Sequence, residues 1–235
     1  NKLEDMIDEL VQKIKVASTV DVSKWRNKVR TESKRPQGAV LHGTTDKVIG
    51  IGASTGGTVA LRAVIEAFPP DMPGTVIVQH MPPKFTKMFA DKLNSLSKVE
   101  VKEAEDHDRV MKGRVLIAPG GMQMSVVRSG GRYVVRVKDG EKVNGHAPSV
   151  DVLFDSIAEN VGVNSIGVLL TGMGRDGAAG MAKMRGTGAR TLAQDERTCV
   201  VFGMPKEAYE MGAAEKLVAI DDVTVEVVRL LREMR

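Results

Sequence analysis

A chain of 235 residues holds one large domain, or one domain with an appendage, and its 42% hydrophobic and 27% charged content describes a globular protein with a full core. No apolar run approaches the ~20 residues of a membrane-spanning helix and no secretory signal pattern opens the chain, so no membrane insertion is expected. The net charge of +4 is concentrated in Lys24, Arg26, Lys28, Arg30, Lys34 and Arg35, and aromatics at 3% leave little to stack on bases, so a nucleic-acid partner is excluded as well.

In chain order, Leu3, Ile7, Leu10 and Ile14 set an amphipathic helix over residues 1–17. A polar, basic stretch punctuated by Pro36, Gly38 and Gly43 then reads as a linker, which divides the chain into 1–45 and a domain over 46–235. Opening on Asn1 rather than Met is what a piece of a longer protein would show. From residue 46 strands and helices alternate. Val48–Ile51 is a buried strand, and Val59, Leu61, Val64, Ile65 and Phe68 have helical spacing. Residues 75–79 form a second strand, and a helix opened by Pro82 and Pro83 carries Phe85, Met88, Phe89, Leu93 and Leu96. Short strands near 99–101 and 114–118 precede a hairpin of 122–128 and 133–138 around Gly130-Gly131. Ser149 is a plausible N-cap for a helix through Leu153, Phe154 and Ile157. Ile166–Leu170, apolar throughout, reads as a central parallel strand, followed by a turn, a helix over 178–184, a strand over 189–193, a helical turn over 206–211, a short strand over 217–220 and a terminal helix capped by Asp221 or Asp222. The pattern is an α/β fold, a doubly wound and mostly parallel sheet with helices on both faces and a β-hairpin excursion.

The segment Gly52-Ala53-Ser54-Thr55-Gly56, between the first strand and its helix, fits the G-x-S-x-G turn that lifts a nucleophilic serine above a sheet. The glycines are one residue too widely spaced for a dinucleotide loop, and the second strand ends in Gln79-His80 with no carboxylate for a ribose. No G-K-[ST] follows, so the loop is not a phosphate-binding P-loop. Taken alone, Ser54 reads equally well as an ordinary turn residue.

In open α/β sheets ligands bind beyond the carboxyl ends of the strands, where Ser54, His80 and Asp176 all fall. A serine needs a base, and a carboxylate can hold an imidazole base in one tautomer. His42 lies in the linker, His107 on a charged face and His146 in a loop no strand positions, leaving His80 at a strand end. Considered separately, His80 can be a structural histidine and Asp176 a helix N-cap. Together they favour a Ser-His-Asp hydrolase, in a chain order different from the Ser-Asp-His of α/β-hydrolases. Cys199, the only cysteine, rules out an internal disulfide, fits a reducing cytoplasm, and reads as a small buried residue rather than a nucleophile.

The runs Gly50–Gly57, Val78–Pro82, Ile117–Gly120, Pro148–Phe154, Leu170–Ala178 and Gln194–Thr198, over roughly residues 46–220, resemble those of a CheB-type protein-glutamate methylesterase of bacterial chemotaxis. The resemblance implies a catalytic triad at Ser54, His80 and Asp176, in agreement with the selection from strand ends. It implies hydrolysis of glutamate γ-methyl esters on the cytoplasmic helices of methyl-accepting chemoreceptors, and deamidation of certain receptor glutamines. It points to the backbone N–H of Met173 as one oxyanion donor, and general elbow geometry adds Thr55. Neither a metal nor an organic cofactor is expected. It also implies an N-terminal receiver domain served by a histidine kinase in the cytoplasm, and nothing before residue 46 reads as that domain. Competing expectations are a small-molecule esterase, a nucleotide-binding regulatory module and a non-catalytic receptor scaffold.

Overall fold

The computed structural model describes residues 46–234 and the isolated helical positions Val11, Ile14 and Ser18. Apart from those three positions, the amphipathic helix expected over 1–17 and the basic linker lie outside the described residues.

Nine strands and six α-helices follow one another from residue 48. They are β1 (Val48–Ala53), α1 (Gly57–Glu66), β2 (Gly74–Gln79), α2 (Phe85–Asn94), β3 (Glu100–Glu103), β4 (Arg114–Ile117), β5 (Gln123–Ser129), β6 (Arg132–Lys138), α3 (Val150–Asn160), β7 (Ser165–Leu169), α4 (Ala178–Gly186), β8 (Arg190–Gln194), α5 (Met204–Glu210), β9 (Lys216–Val218) and α6 (Val223–Glu233). Seven strands form one sheet in the order β3-β4-β2-β1-β7-β8-β9, every neighbour parallel, while β5 and β6 pair as the antiparallel hairpin. The chain works outward from β1 through β2 to β4 and β3, then returns to β1's other side with β7. β1 and β7 therefore bracket the point where the winding reverses, the place where such sheets open a crevice.

Both faces of the sheet are covered, which is why its central strands are apolar at nearly every position. One layer packs Leu61, Val64 and Ile65 of α1, Leu93 of α2 and Val227 and Leu231 of α6 on Ile49, Ile51, Ile77 and Val168. The opposite layer packs Leu153, Phe154 and Ile157 of α3, Met181 and Met184 of α4 and the inner face of the hairpin on Val48, Val76 and Leu169.

Two glycines of β1 decide how close α3 can come. A Cβ on Gly50 would lie 2.5 Å from Ile157 Cδ1, and one on Gly52 would lie 2.3 Å from Val150 Cγ1. A Cβ on Gly180 would lie 2.7 Å from Phe154 Cβ, so α4 also needs a bare backbone where it crosses α3. The small residues of the Gly50–Gly57 stretch thus serve packing as well as the turn.

The α2 stripe differs from its sequence reading. Ala90 and Leu93 are buried with Thr86, whereas Phe85 is 57% and Met88 67% exposed. Thr86 points inward because its hydroxyl donates to Glu103 and accepts from Gly120 N–H, which turns its apolar neighbours outward.

Gly52→Val adds a branched side chain where even a Cβ has no room, and overpacking of this kind costs about 1–3 kcal/mol. Urea unfolding should show a lower midpoint for Gly52→Val with an unchanged slope; an unchanged midpoint would remove the packing role given to this glycine.

Candidate active site

Ser54, His80 and the Thr171–Gly177 turn follow the carboxyl ends of β1, β2 and β7, three adjacent strands. The end of β1 is tied to both neighbours. His80 N–H donates to Ala53 O at 3.1 Å, and Ser54 N–H donates to Thr171 O at 3.0 Å. Gln79, buried, donates its amide to Ser54 O at 3.0 Å and His80 O at 3.1 Å, bracing the two strand ends against each other. The β7 turn presses on the serine: a Cβ on Gly172 would lie 2.8 Å from Ser54 Cβ.

The turn is itself held by polar side chains. Thr171 N–H donates to Gln194 Oε1 at 2.8 Å, and Thr171 Oγ1 accepts from Val200 and Val201 N–H at 3.1 and 3.0 Å. Gly172 N–H donates to Val201 O and its carbonyl accepts from Gly203 and Met204 N–H. Among the described residues, the N–H groups of Thr55 and Met173 donate no intramolecular hydrogen bond.

His80 and Asp176 are joined directly, Nε2 to Oδ2 at 2.8 Å, with both side chains almost wholly enclosed. Asp176 Oδ2 also accepts from Val150 N–H at 2.7 Å. Its Oδ1 accepts from Ser149 Oγ at 2.7 Å, Asn144 Nδ2 at 2.9 Å and Asp151 N–H at 3.3 Å. Burial works against the charge of this carboxyl, but the bonds from His80, Asn144, Val150 and Ser149 outweigh it and hold the pKa at about 2. Two of the donors are the first N–H groups of α3, whose dipole also favours an anion. An ionised carboxylate only accepts, so His80 Nε2 carries the proton and Nδ1 presents its lone pair. Nδ1 is buried and has no hydrogen-bond partner among the described residues. No hydrogen bond joins Ser54 Oγ to His80 among those residues.

Two side chains beside helix starts have partners outside their own helices. Asp176 does not cap α4; Gly177, at φ +92°, holds that position, and the Asp176 carboxylate turns back to the start of α3. Ser149 is the N-cap residue of α3, yet its hydroxyl bonds Asp176 rather than its own helix. His146, left in an unplaced loop by the sequence, stacks on His80 with ring centroids 3.7 Å apart and planes at 14°. The signal for that loop was the Asn144-Gly145 pair, a tight-turn dipeptide. His107 is exposed and paired with Asp106, in keeping with a charged face, and burial pushes the half-buried Cys199 thiol up to about 12. No group of three His, Cys, Asp or Glu side chains among the described residues could hold a metal ion.

The depressed Asp176 carboxyl links stability to pH. Its pKa is about 2 when folded and near ~3.9 when unfolded, so its contribution is complete above pH ~5 and is lost as pH falls through the folded value. A shift of that size corresponds to about 2–3 kcal/mol. Urea unfolding from pH 6 down to pH 2 should show a steeper loss of stability for the parent than for Asp176→Asn; parallel curves would contradict the ionised, hydrogen-bonded carboxylate.

The CheB methylesterase family profile matches residues 49–227. A protein-glutamate methylesterase/protein-glutamine glutaminase of Syntrophotalea carbinolica is 58% identical over 99% of this chain and 67% of its own length. One of the same name from Sulfurimonas denitrificans is 51% identical over 99% of this chain and 68% of its own length. The crystal structure of the Thermotoga maritima CheB methylesterase catalytic domain superposes with a TM-score of 0.76 at 40% identity, covering 78% of this chain and 98% of that one. The chain spans about two thirds of the length of these curated relatives. With a profile match over most of its length and relatives this close, the chain belongs to the CheB methylesterase family.

Proposed function

We propose that this chain is a serine hydrolase that removes methyl groups from glutamate γ-methyl esters, and amide nitrogen from glutamines, on bacterial chemoreceptors. The observation that carries the reading is the His80–Asp176 pair, bonded through Nε2 at 2.8 Å with Nδ1 left open, at the strand edge that also bears Ser54. It is supported by the names of the relatives, protein-glutamate methylesterase/protein-glutamine glutaminase.

The chemistry follows from which atoms are free. His80 Nδ1 takes the proton of Ser54 Oγ as Oγ bonds the γ-carbonyl carbon. Asp176 keeps its charge and stabilises the imidazolium that forms. The tetrahedral oxyanion is met by the N–H groups of Thr55 and Met173, two donors with nothing else to satisfy among the described residues. Collapse breaks the C–O bond of the ester, and methanol leaves with the proton returned by His80; a glutamine loses ammonia by the same path. Water, deprotonated by His80, then cleaves the Ser54 ester to give glutamate and free serine. The steps need neither a metal nor an organic cofactor.

The substrate is a chemoreceptor cytoplasmic helix, and the reaction belongs in the cytoplasm. No helix among the described residues is long and apolar enough to cross a membrane. Regulation by a receiver domain phosphorylated by a histidine kinase is part of the same proposal, assigned to the third of the relatives' length that this chain does not span.

Methanol release from methylated chemoreceptor membranes should be readily detected with the parent. In other serine hydrolases loss of the nucleophile lowers turnover on the order of 10⁶-fold and loss of the orienting aspartate about 10⁴-fold. Ser54→Ala and Asp176→Asn should therefore release essentially none while remaining folded. Release by Ser54→Ala at the parental rate would sink the mechanism.

A further inference from the structure

A hydrogen bond fixes one point of an imidazole; it does not fix the plane of the ring. Asp176 holds His80 Nε2, and Nδ1 has no bond of its own, so hydrogen bonding alone does not stop the ring pivoting about Nε2. What stops the pivot comes from the loop before α3. Val143 and His146 exchange both backbone hydrogen bonds, 3.0 and 2.9 Å, and the residues between them, Asn144 and Gly145, have φ of +53° and +81°. Positive φ at both central positions is the pattern of a type I′ turn, which Asn-Gly adopts with little strain.

The turn is clamped to the fold by the buried Gln123. Its amide donates to Glu141 O at 2.9 Å and His146 O at 3.0 Å, and its carbonyl accepts from Ser149 N–H at 2.9 Å. Two side chains project from this fixed turn onto the pair. Asn144 Nδ2 donates to Asp176 Oδ1 at 2.9 Å and to Asp151 Oδ2 at 2.7 Å, a neutral double donor between two carboxylates. Asp151 is held in turn by Gly180 N–H at 2.7 Å. The His146 ring lies flat on His80 at 3.7 Å.

We propose that the Val143–His146 turn is a positioning device for the proposed catalytic pair, with Asn144 fixing the carboxylate and His146 fixing the plane of the His80 ring. The inference rests on the reading of His80 and Asp176 given above. Asn144 suits its place for two reasons. Its amide has two protons for two anions, and asparagine tolerates positive φ. An aspartate there would set a third carboxylate beside Asp151 and Asp176. For His146 the contact that matters is the face of its ring on His80, which alanine removes.

The test uses the full chain and a readout that needs no receptor: the rate at which an alkyl fluorophosphonate labels Ser54, resolved into the binding constant and the limiting rate. Asn144→Gly keeps the turn conformation and removes the amide. Misplacement of a reacting group by about 1 Å costs up to 10²-fold, so Asn144→Gly and His146→Ala should lower the limiting rate at least about 10-fold with binding unchanged. Limiting rates within about twofold of the parent for both Asn144→Gly and His146→Ala would overturn the proposal. The low-field proton resonance of His80 Nε2–H gives a second, chemistry-free reading, expected to move or broaden in both variants. If the parent itself fails to label, the serine mechanism is wrong, and an unmoved Nε2–H resonance in Asn144→Gly and His146→Ala separately rejects the turn's role.

Discussion

A carboxylate taken out of water has to be met by donors on every side, and Asp176 is met by five: an imidazole, an amide, a hydroxyl and two backbone N–H groups. The two backbone donors are the opening residues of α3, so the carboxylate depends on where that helix begins. The helix begins there because α3 lies close against β1, and it lies that close because Gly50 and Gly52 present bare backbone to Ile157, Phe154 and Val150. Packing of the upper layer and ionisation of the candidate site are in this sense one constraint. Remove the close approach and the first N–H groups of α3 withdraw from Asp176; remove Asp176 and the end of α3 faces a void lined with orphan donors.

The parallel sheet supplies the rest. Reversal of the winding at β1 and β7 puts the ends of three neighbouring strands together. Side-chain amides and hydroxyls rather than apolar contacts hold those ends: Gln79 ties Ser54 to His80, and Thr171 with Gln194 carries the turn that leaves Met173 N–H unspent. Such groups are directional, so they locate a backbone segment more sharply than a contact between aliphatic side chains does. The Ser-His-Asp order along this chain differs from that of α/β-hydrolases, as expected if the chemistry requires only a geometry and not a particular route through the fold.

Local reasoning went astray where a polar side chain had two possible partners. Ser149 stands at the start of α3, and the ordinary expectation is that its hydroxyl caps that helix. The hydroxyl instead serves the buried Asp176 carboxylate, because an unmet buried charge costs more than a missing cap. The helix α2 misled in a similar way. Its apolar spacing allowed Phe85 and Met88 to face inward, but a bonded Thr86 hydroxyl set the rotation of the helix.

By itself the sequence determined the succession of strands and helices, since period-two and period-3.6 patterns and glycine or proline punctuation are local properties. It also determined that the serine turn, the histidine and the aspartate lie at carboxyl ends of strands, because in an alternating α/β chain that edge follows from the order of elements alone. Only the tertiary structure decided which imidazole nitrogen faces Asp176, that Asn144, Ser149 and the start of α3 share that carboxylate, and that His146 lies on His80. Those contacts join residues that are separated in the chain and meet through side-chain rotamers and helix placement. No periodicity encodes them; they are set by how closely two packed layers approach, and here that distance is decided by the absence of a Cβ on two glycines of β1.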